Sequence, residues 1–241
     1  MLDQHPTEEF KAVSQPQIQE FSESEQADVY DLKLLDQNAA ERQLTERFIS
    51  KIFHETYAAN LQSFYPFLLT IKNKNDQFSA VAGVRPACLE KLFSENYLEK
   101  PIDEVLKAPR EKIIEIGNLA PADAGQARWL IATLSSFMNA AGFTNVVFTA
   151  VPQLRNSFRR MGLPLSELAK ATADHLPEDD ISHWGNYYNC NPVVFVGDLR
   201  VGKMALSKMM AVDPLLNNIS TLAQQVGENF KQVIDQNHLS I

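Results

Sequence analysis

Two strands that read as covered on both faces, joined by a single helix, fix most of what this chain can become. Residues 113 to 116 form an apolar, β-branched run interrupted only by Glu115, the pattern of a strand buried on both sides of a sheet. From Ala127 the apolar residues fall at 130, 131, 134, 137, 138 and 141, the spacing that lines one face of an α-helix. Gly142 stops that helix, because glycine tolerates positive φ. Val146, Val147 and Phe148, followed by Ala150 and Val151, make a second buried strand, and a further helix leads to Pro164. Buried strands linked by a helical crossover are parallel, and the crossover is right-handed. A carboxylate inside the first strand is the feature that needs explaining.

The 241 residues and 45% hydrophobic content suit one sizeable domain with appendages. Residues 1–38 hold nine Asp or Glu against two Lys, which is −7 of the net −8. The remainder is nearly neutral, so neither nucleic acid nor an anionic lipid surface has an electrostatic reason to bind. Cys88 and Cys190 are too few for a disulfide framework. The opening MLDQHPTEEF has neither the basic nor the apolar part of a signal peptide, and no run reaches the ~18 apolar residues of a membrane span. These features predict a cytoplasmic protein.

Along the chain, residues 1–28 are rich in Gln, Glu and Ser and are expected to be disordered. Residues 29–200 form the main domain. Within it a strand over 29–35 precedes a helix over 38–57 with Leu44, Phe48 and Ile52 on one face; residues 64–71 and 79–85 then make an antiparallel hairpin across NKND. Short helices fill 89–106, residues 165–177 read as loop, and a late strand covers 193–196. Residues 201–241 form a helical extension in which Leu215, Leu216, Ile219, Leu222, Val226, Phe230 and Val233 recur at helical spacing, leaving an apolar face that needs a partner surface, a second copy of the chain among the candidates. The expected class is mixed α/β (α+β): a central mixed sheet flanked by helices.

This succession resembles the Gcn5-related N-acetyltransferase architecture. Gly83, Arg85 and Pro86 resemble the glycine, arginine and proline on the hairpin strand of acyl-homoserine-lactone synthases, and Glu115 to Asn118 resembles their Glu-x-x-Arg with the arginine replaced. VAGVRPA, IIEIGNLA, VVFTAVPQLRNSFRRMGLPL and WGNYYNCNP together resemble the hallmark segments of the thermostable hemolysin family, over about residues 40–195. The resemblance implies an acyl-CoA N-acyltransferase-like fold in which the fourth and fifth strands splay apart and admit an acyl thioester. The donor would be acyl-CoA or the phosphopantetheine of an acyl carrier protein, and the acceptor a small, amino-acid-like amine.

Each candidate residue has two readings. Glu115 is either a buried acid paired with Arg85 or a general base for the amine. Arg85 is either that counter-ion or the group that orients a substrate carboxylate or carbonyl. Asn118 either caps the strand end or polarises the thioester carbonyl. Strict alternation places Glu115 and Asn118 on opposite faces, so a bulge near Gly117 is expected if both line one cleft. The resemblance assigns donor binding to Leu119 and to the helix start at Gly125, Gln126 and Ala127, whose free amides suit a phosphate. Ala122 stands where acetyltransferases carry Gln or Arg. Arg155 and Arg159, with Arg160, would meet an acidic carrier protein or else form a solvated helix face. Phe158 replaces the usual tyrosine acid, leaving Tyr187 or Tyr188 as proton donors. The five histidines show no metal-ligand spacing with the cysteines, and no Gly-x-Ser-x-Gly elbow is present. A second class of function, membrane lysis through the C-terminal helix, has against it that helix's scarcity of basic residues.

Overall fold

A computed structural model describes residues 30–238. The expected disordered segment 1–28 lies outside these residues. The elements in order are β1 (Asp31–Leu35), α1 (Arg42–Tyr57), β2 (Phe67–Lys72), β3 (Phe78–Pro86), α2 (Ile102–Leu106), β4 (Ile113–Pro121), α3 (Ala127–Ala140), β5 (Asn145–Ala150), α4 (Pro152–Arg160), β6 (Ser166–Lys170), α5 (Glu178–Ile181), β7 (Val193–Asp198), α6 (Leu199–Met210) and α7 (Pro214–His238). Seven strands make one sheet in the order β1-β2-β3-β4-β5-β7-β6. All neighbours are antiparallel except β4 and β5. That one parallel pair is the one the helical crossover requires. The mixed sheet between helices is the architecture expected from the sequence.

Two buried layers sandwich the sheet. On one side Ile114, Ile116, Phe148 and Phe195 pack with Leu134 and Phe137 of α3 and Leu216, Phe230 and Ile234 of α7. On the other, Leu68 and Val81 meet Ile49 and Phe53 of α1, while Ile113, Val147 and Val194 meet Leu92, Tyr97 and Leu176 from the connecting segments. The partner surface that α7 needed is therefore α3, approached closely: a Cβ on Gly227 would stand 2.3 Å from the Phe137 carbonyl oxygen.

The sequence reading differs from the structure at several places. The strand expected over 64–71 is β2, starting at Phe67, and α1 buries Thr45, Ile49 and Phe53 rather than Leu44, which is exposed. Residues 166–170 are not loop but β6, an edge strand whose Glu167 and Lys170 hide the usual apolar signal. Residues 199–210 form α6, which follows β7 without a linker; Asp198 Oδ1 caps it by accepting from the amides of Arg200 and Val201 at 2.8 and 3.4 Å. β4 continues beyond residue 116 to Pro121. Helix α1 begins at Arg42 rather than Asn38.

Candidate active site

β4 carries the bulge expected near Gly117, although it does not bring Glu115 and Asn118 into one cleft: Asn118 lines the cavity beyond the bulge and Glu115 does not. Against β3, Gly83 pairs with Gly117 and Val81 with Ala120, so three steps on β4 oppose two on β3. Asn118 absorbs the extra residue in a left-handed conformation, φ 46°. Its Oδ1 accepts the Tyr65 amide at 3.0 Å.

Beyond the bulge the sheet opens. β4 and β5 pair only from Ile113↔Asn145 to Ile116↔Phe148. Past that point β4 follows β3, while β5 follows β7 as far as Ala150↔Val193. The β5-facing main chain of Gly117 to Pro121 is left without a strand partner. Into this wedge opens a cavity of about 510 Å³. One wall is Leu119, Pro121, Ala127, Val151 and Leu154; the other is Phe53, Tyr57, Tyr65, Phe93, Tyr97, Trp184 and Tyr187, with Ile116, Gly117 and Asn118 between them.

The paired glycines make room for Tyr65. A Cβ on Gly117 would stand 2.6 Å from Tyr65 Cζ, and one on Gly83 2.9 Å from Tyr65 Cβ, so the ring lies flat across both strands. Its second face carries the Arg85 guanidinium, 4.3 Å from the centroid. Arg85 stands opposite Glu115 in the register, yet its close acid is Glu90, with Nε 3.1 Å from Oε1. The ion pair is poorly aligned, and among the described residues this buried Nε–H has no hydrogen-bond acceptor. Its Nη1 makes one long bond to the Lys91 carbonyl, 3.5 Å.

Glu115 is 1% exposed. Both its oxygens accept main-chain amides, from Phe93 at 2.8 Å and Ser94 at 2.7 Å. Burial raises its pKa above the ordinary carboxylate value, opposed by Ser94, the Phe93 amide and Arg85. The carboxylate does not line the cavity. Tyr65 stands between them: it lines the cavity, and its phenol is pushed well above the usual value by burial and by the neighbouring Glu115. The loop that supplies the two amides is fixed from behind. Glu95 accepts the amides of Leu92 (2.7 Å) and Ile102 (2.9 Å) and pairs with Arg110, which also binds Asp103 and the Ala87 carbonyl.

Of the residues marked in the sequence, Asn118, Leu119 and Ala127 line the cavity, as does Tyr187. Gly125 and Gln126 form a short 3-10 turn ahead of α3, and a Cβ on Gly125 would meet nothing within 4 Å. Arg155 and Arg159 are exposed on α4, and Arg155 forms a loose pair with Glu167, 3.4 Å. Phe158 is core, stacked on Phe148 with centroids 4.6 Å apart. Tyr188 bonds Tyr97 hydroxyl to hydroxyl at 2.6 Å, and its pKa is pushed up to about 12 mainly by burial. Tyr65 and the Phe93–Ser94 amides escaped the sequence reading. The signal that could have found Tyr65 was the pair of strand glycines, which mark a close approach.

No curated protein matches the chain significantly. Among solved structures, TofI in its apo form is similar at 14% identity and TM-score 0.51, over 77% of this chain and 99% of that one. TofI in a ternary complex with an inhibitor and MTA gives 14% and 0.50 over the same shares. The AHL synthase LasI gives 12% and 0.49, over 71% of this chain and 91% of that one. At these identities the TofI likeness shows a shared fold. The family model described as thermostable hemolysin matches residues 35–227. That match spans α1 to α6 and more than half of α7, with the split sheet inside it, and the chain belongs to the thermostable hemolysin family.

Proposed function

We propose that the protein is an N-acyltransferase that moves an acyl group from a thioester, on coenzyme A or on the phosphopantetheine of an acyl carrier protein, to the amino group of a small acceptor. The observation that carries this reading is the wedge between β4 and β5, where unpaired main-chain groups of β4 border a cavity large enough for two reactants. An extended thioester arm with its own amides can pair with that main chain as a strand would. The neutral amine attacks the carbonyl carbon, the C–N bond forms, the C–S bond breaks, and sulfur leaves as thiolate. One proton must leave the nitrogen.

Glu115 is the acid that receives it, acting through Tyr65 because the carboxylate is sealed from the cavity. Relay through the phenol delivers the proton to a carboxylate whose neutral form is favoured by burial, so no phenolate charge has to be held in the cavity. Asn118 positions Tyr65 with its carbonyl and keeps its NH2 as a donor for the thioester oxygen. Leu119 and Ala127 contact the donor arm. The turn at Gly125–Gln126 takes its phosphate end, and Arg155 and Arg159 meet a carrier protein.

The test is thiol release from a panel of acyl thioesters with mixed amines, with products identified by mass. Amide product is expected. Folded protein that releases no thiol with any pair overturns the proposal. Direct membrane lysis by the C-terminal helix is the weaker reading, because the apolar face of α7 is occupied by α3 and β1, and among the described residues no helix is long and apolar enough to cross a membrane. Leakage of liposomes by purified protein without acyl donor would favour lysis.

A further inference from the structure

We infer that the acceptor amine is a cation without a carboxylate, of the alkylamine or α,ω-diamine class. This rests on the acyl-transfer reading and narrows its second substrate. The aromatic wall of the cavity is a braced set of rings: Trp184 stands 5.2 Å from Tyr187 and 5.5 Å from Phe93, and Tyr57 5.2 Å from Tyr187. Desolvation holds the Tyr57 and Tyr187 phenols above their ordinary pKa, so they face the cavity as neutral rings with electron-rich faces. Such walls attract ammonium groups.

The formal charges point the same way. Among the described residues that line the cavity, Glu55, in the last turn of α1, is the only charged one, and none is Lys, Arg or His. Its nearest cation, Lys51, is 3.9 Å away, and both side chains are more than half exposed, a solvated pair that an incoming ammonium displaces at little cost. Arg85, the guanidinium suited to a carboxylate, is spent outside the cavity against the Tyr65 ring and Glu90. An amino-acid acceptor would thus bring its carboxylate against an aromatic wall with no cation in the lining and Glu55 at its edge. A fatty chain also fits this wall poorly, because the phenol hydroxyls and Asn118 would lose water without gaining partners; the opposite wall of Leu119, Val151 and Leu154 suits it. A diamine satisfies both ends: one ammonium stays at Glu55, while the other end gives one proton to Glu115 by way of Tyr65, attacks as the neutral amine, and passes its second proton to the departing thiolate.

The probe is calorimetric titration of the full chain, without acyl donor, by 1,4-diaminobutane, butylamine and β-alanine. Both cations are expected to bind at least about tenfold more tightly than β-alanine, with the diamine tightest. Glu55→Gln, on an exposed helix end, should bring the diamine to within about threefold of butylamine. β-Alanine binding as tightly as the cations, no binding by any of the three, or a diamine preference untouched by Glu55→Gln would overturn the inference. The acyl-transfer reading fails on a different result: cation binding in the expected order with no thiol release from any thioester.

Discussion

Replacing Glu115 by glutamine separates the structural work of this side chain from its chemistry. The carboxylate presents two oxygens to two amides, at 2.8 and 2.7 Å. Glutamine keeps one oxygen and turns an NH2 group towards the other amide, orphaning a buried N–H at a cost of about 1–3 kcal/mol. For a chain of this size roughly 2–4 °C of Tm accompanies each kcal/mol, so a loss of roughly 2–12 °C is expected where the charge itself contributes nothing. The charge does contribute, with a definite sign. Burial raises the folded pKa above the unfolded value near 4.5, so the stability contributed by this group is full below the unfolded value and is lost as pH rises through the folded one. The variant has no such proton to lose. Its deficit against the parent should be widest in acid and narrow towards neutral pH, as followed by circular dichroism melts across that range. Thiol release, measured well below the melt, should fall by about 10²–10⁴ if Glu115 takes the proton. A melt equal to the parent's at every pH would refute the clamp reasoning, and a normal rate with a lowered melt would refute the base.

Gly117→Ala puts a methyl group 2.6 Å from Tyr65 Cζ. The ring must leave its place over the bulge, so acyl transfer should drop at least about tenfold while overpacking costs about 1–3 kcal/mol, measured by paired activity and melting assays. Gly227→Leu forces α7 away from the Phe137 main chain and should lower Tm more than Gly117→Ala does, because backbone rather than a side-chain tip has to move. Truncation before Pro214 uncovers Phe137, Leu134 and the β1–β2 face; the product is expected to lose its cooperative melt, so the C-terminal helix is not a removable lytic tail.

Much of this was legible in the sequence because it lay in periodicity. The parallel pair, its crossover helix, the hairpin and the final amphipathic helix all follow from where apolar residues recur. The bulge followed from a conflict between alternation and the wish to have Glu115 and Asn118 in one cleft. What stayed hidden had no local signal. Strand β6 is polar because it is an edge, and α6 begins at Leu199, directly after the last residue of a strand. Glu115 meets main-chain amides of Phe93 and Ser94, groups that every residue carries, so no side chain announced them. Tyr65 read as the start of a strand; only the register that sets Gly83 against Gly117 reveals the hollow its ring fills. Arg85 had two readings, counter-ion to Glu115 or the group that orients a substrate, and its guanidinium is instead claimed by Tyr65 and Glu90.

Only four rungs, Ile113 to Ile116 with Asn145 to Phe148, stitch the two halves of the sheet together. Beyond them the protein is a β-structure with one rib left out, and on the acyl-transfer proposal the thioester arm that completes it has to imitate a peptide before it offers anything else. Selection at this gap therefore falls first on the spacing of amides along the visitor, and only afterwards on the group it delivers.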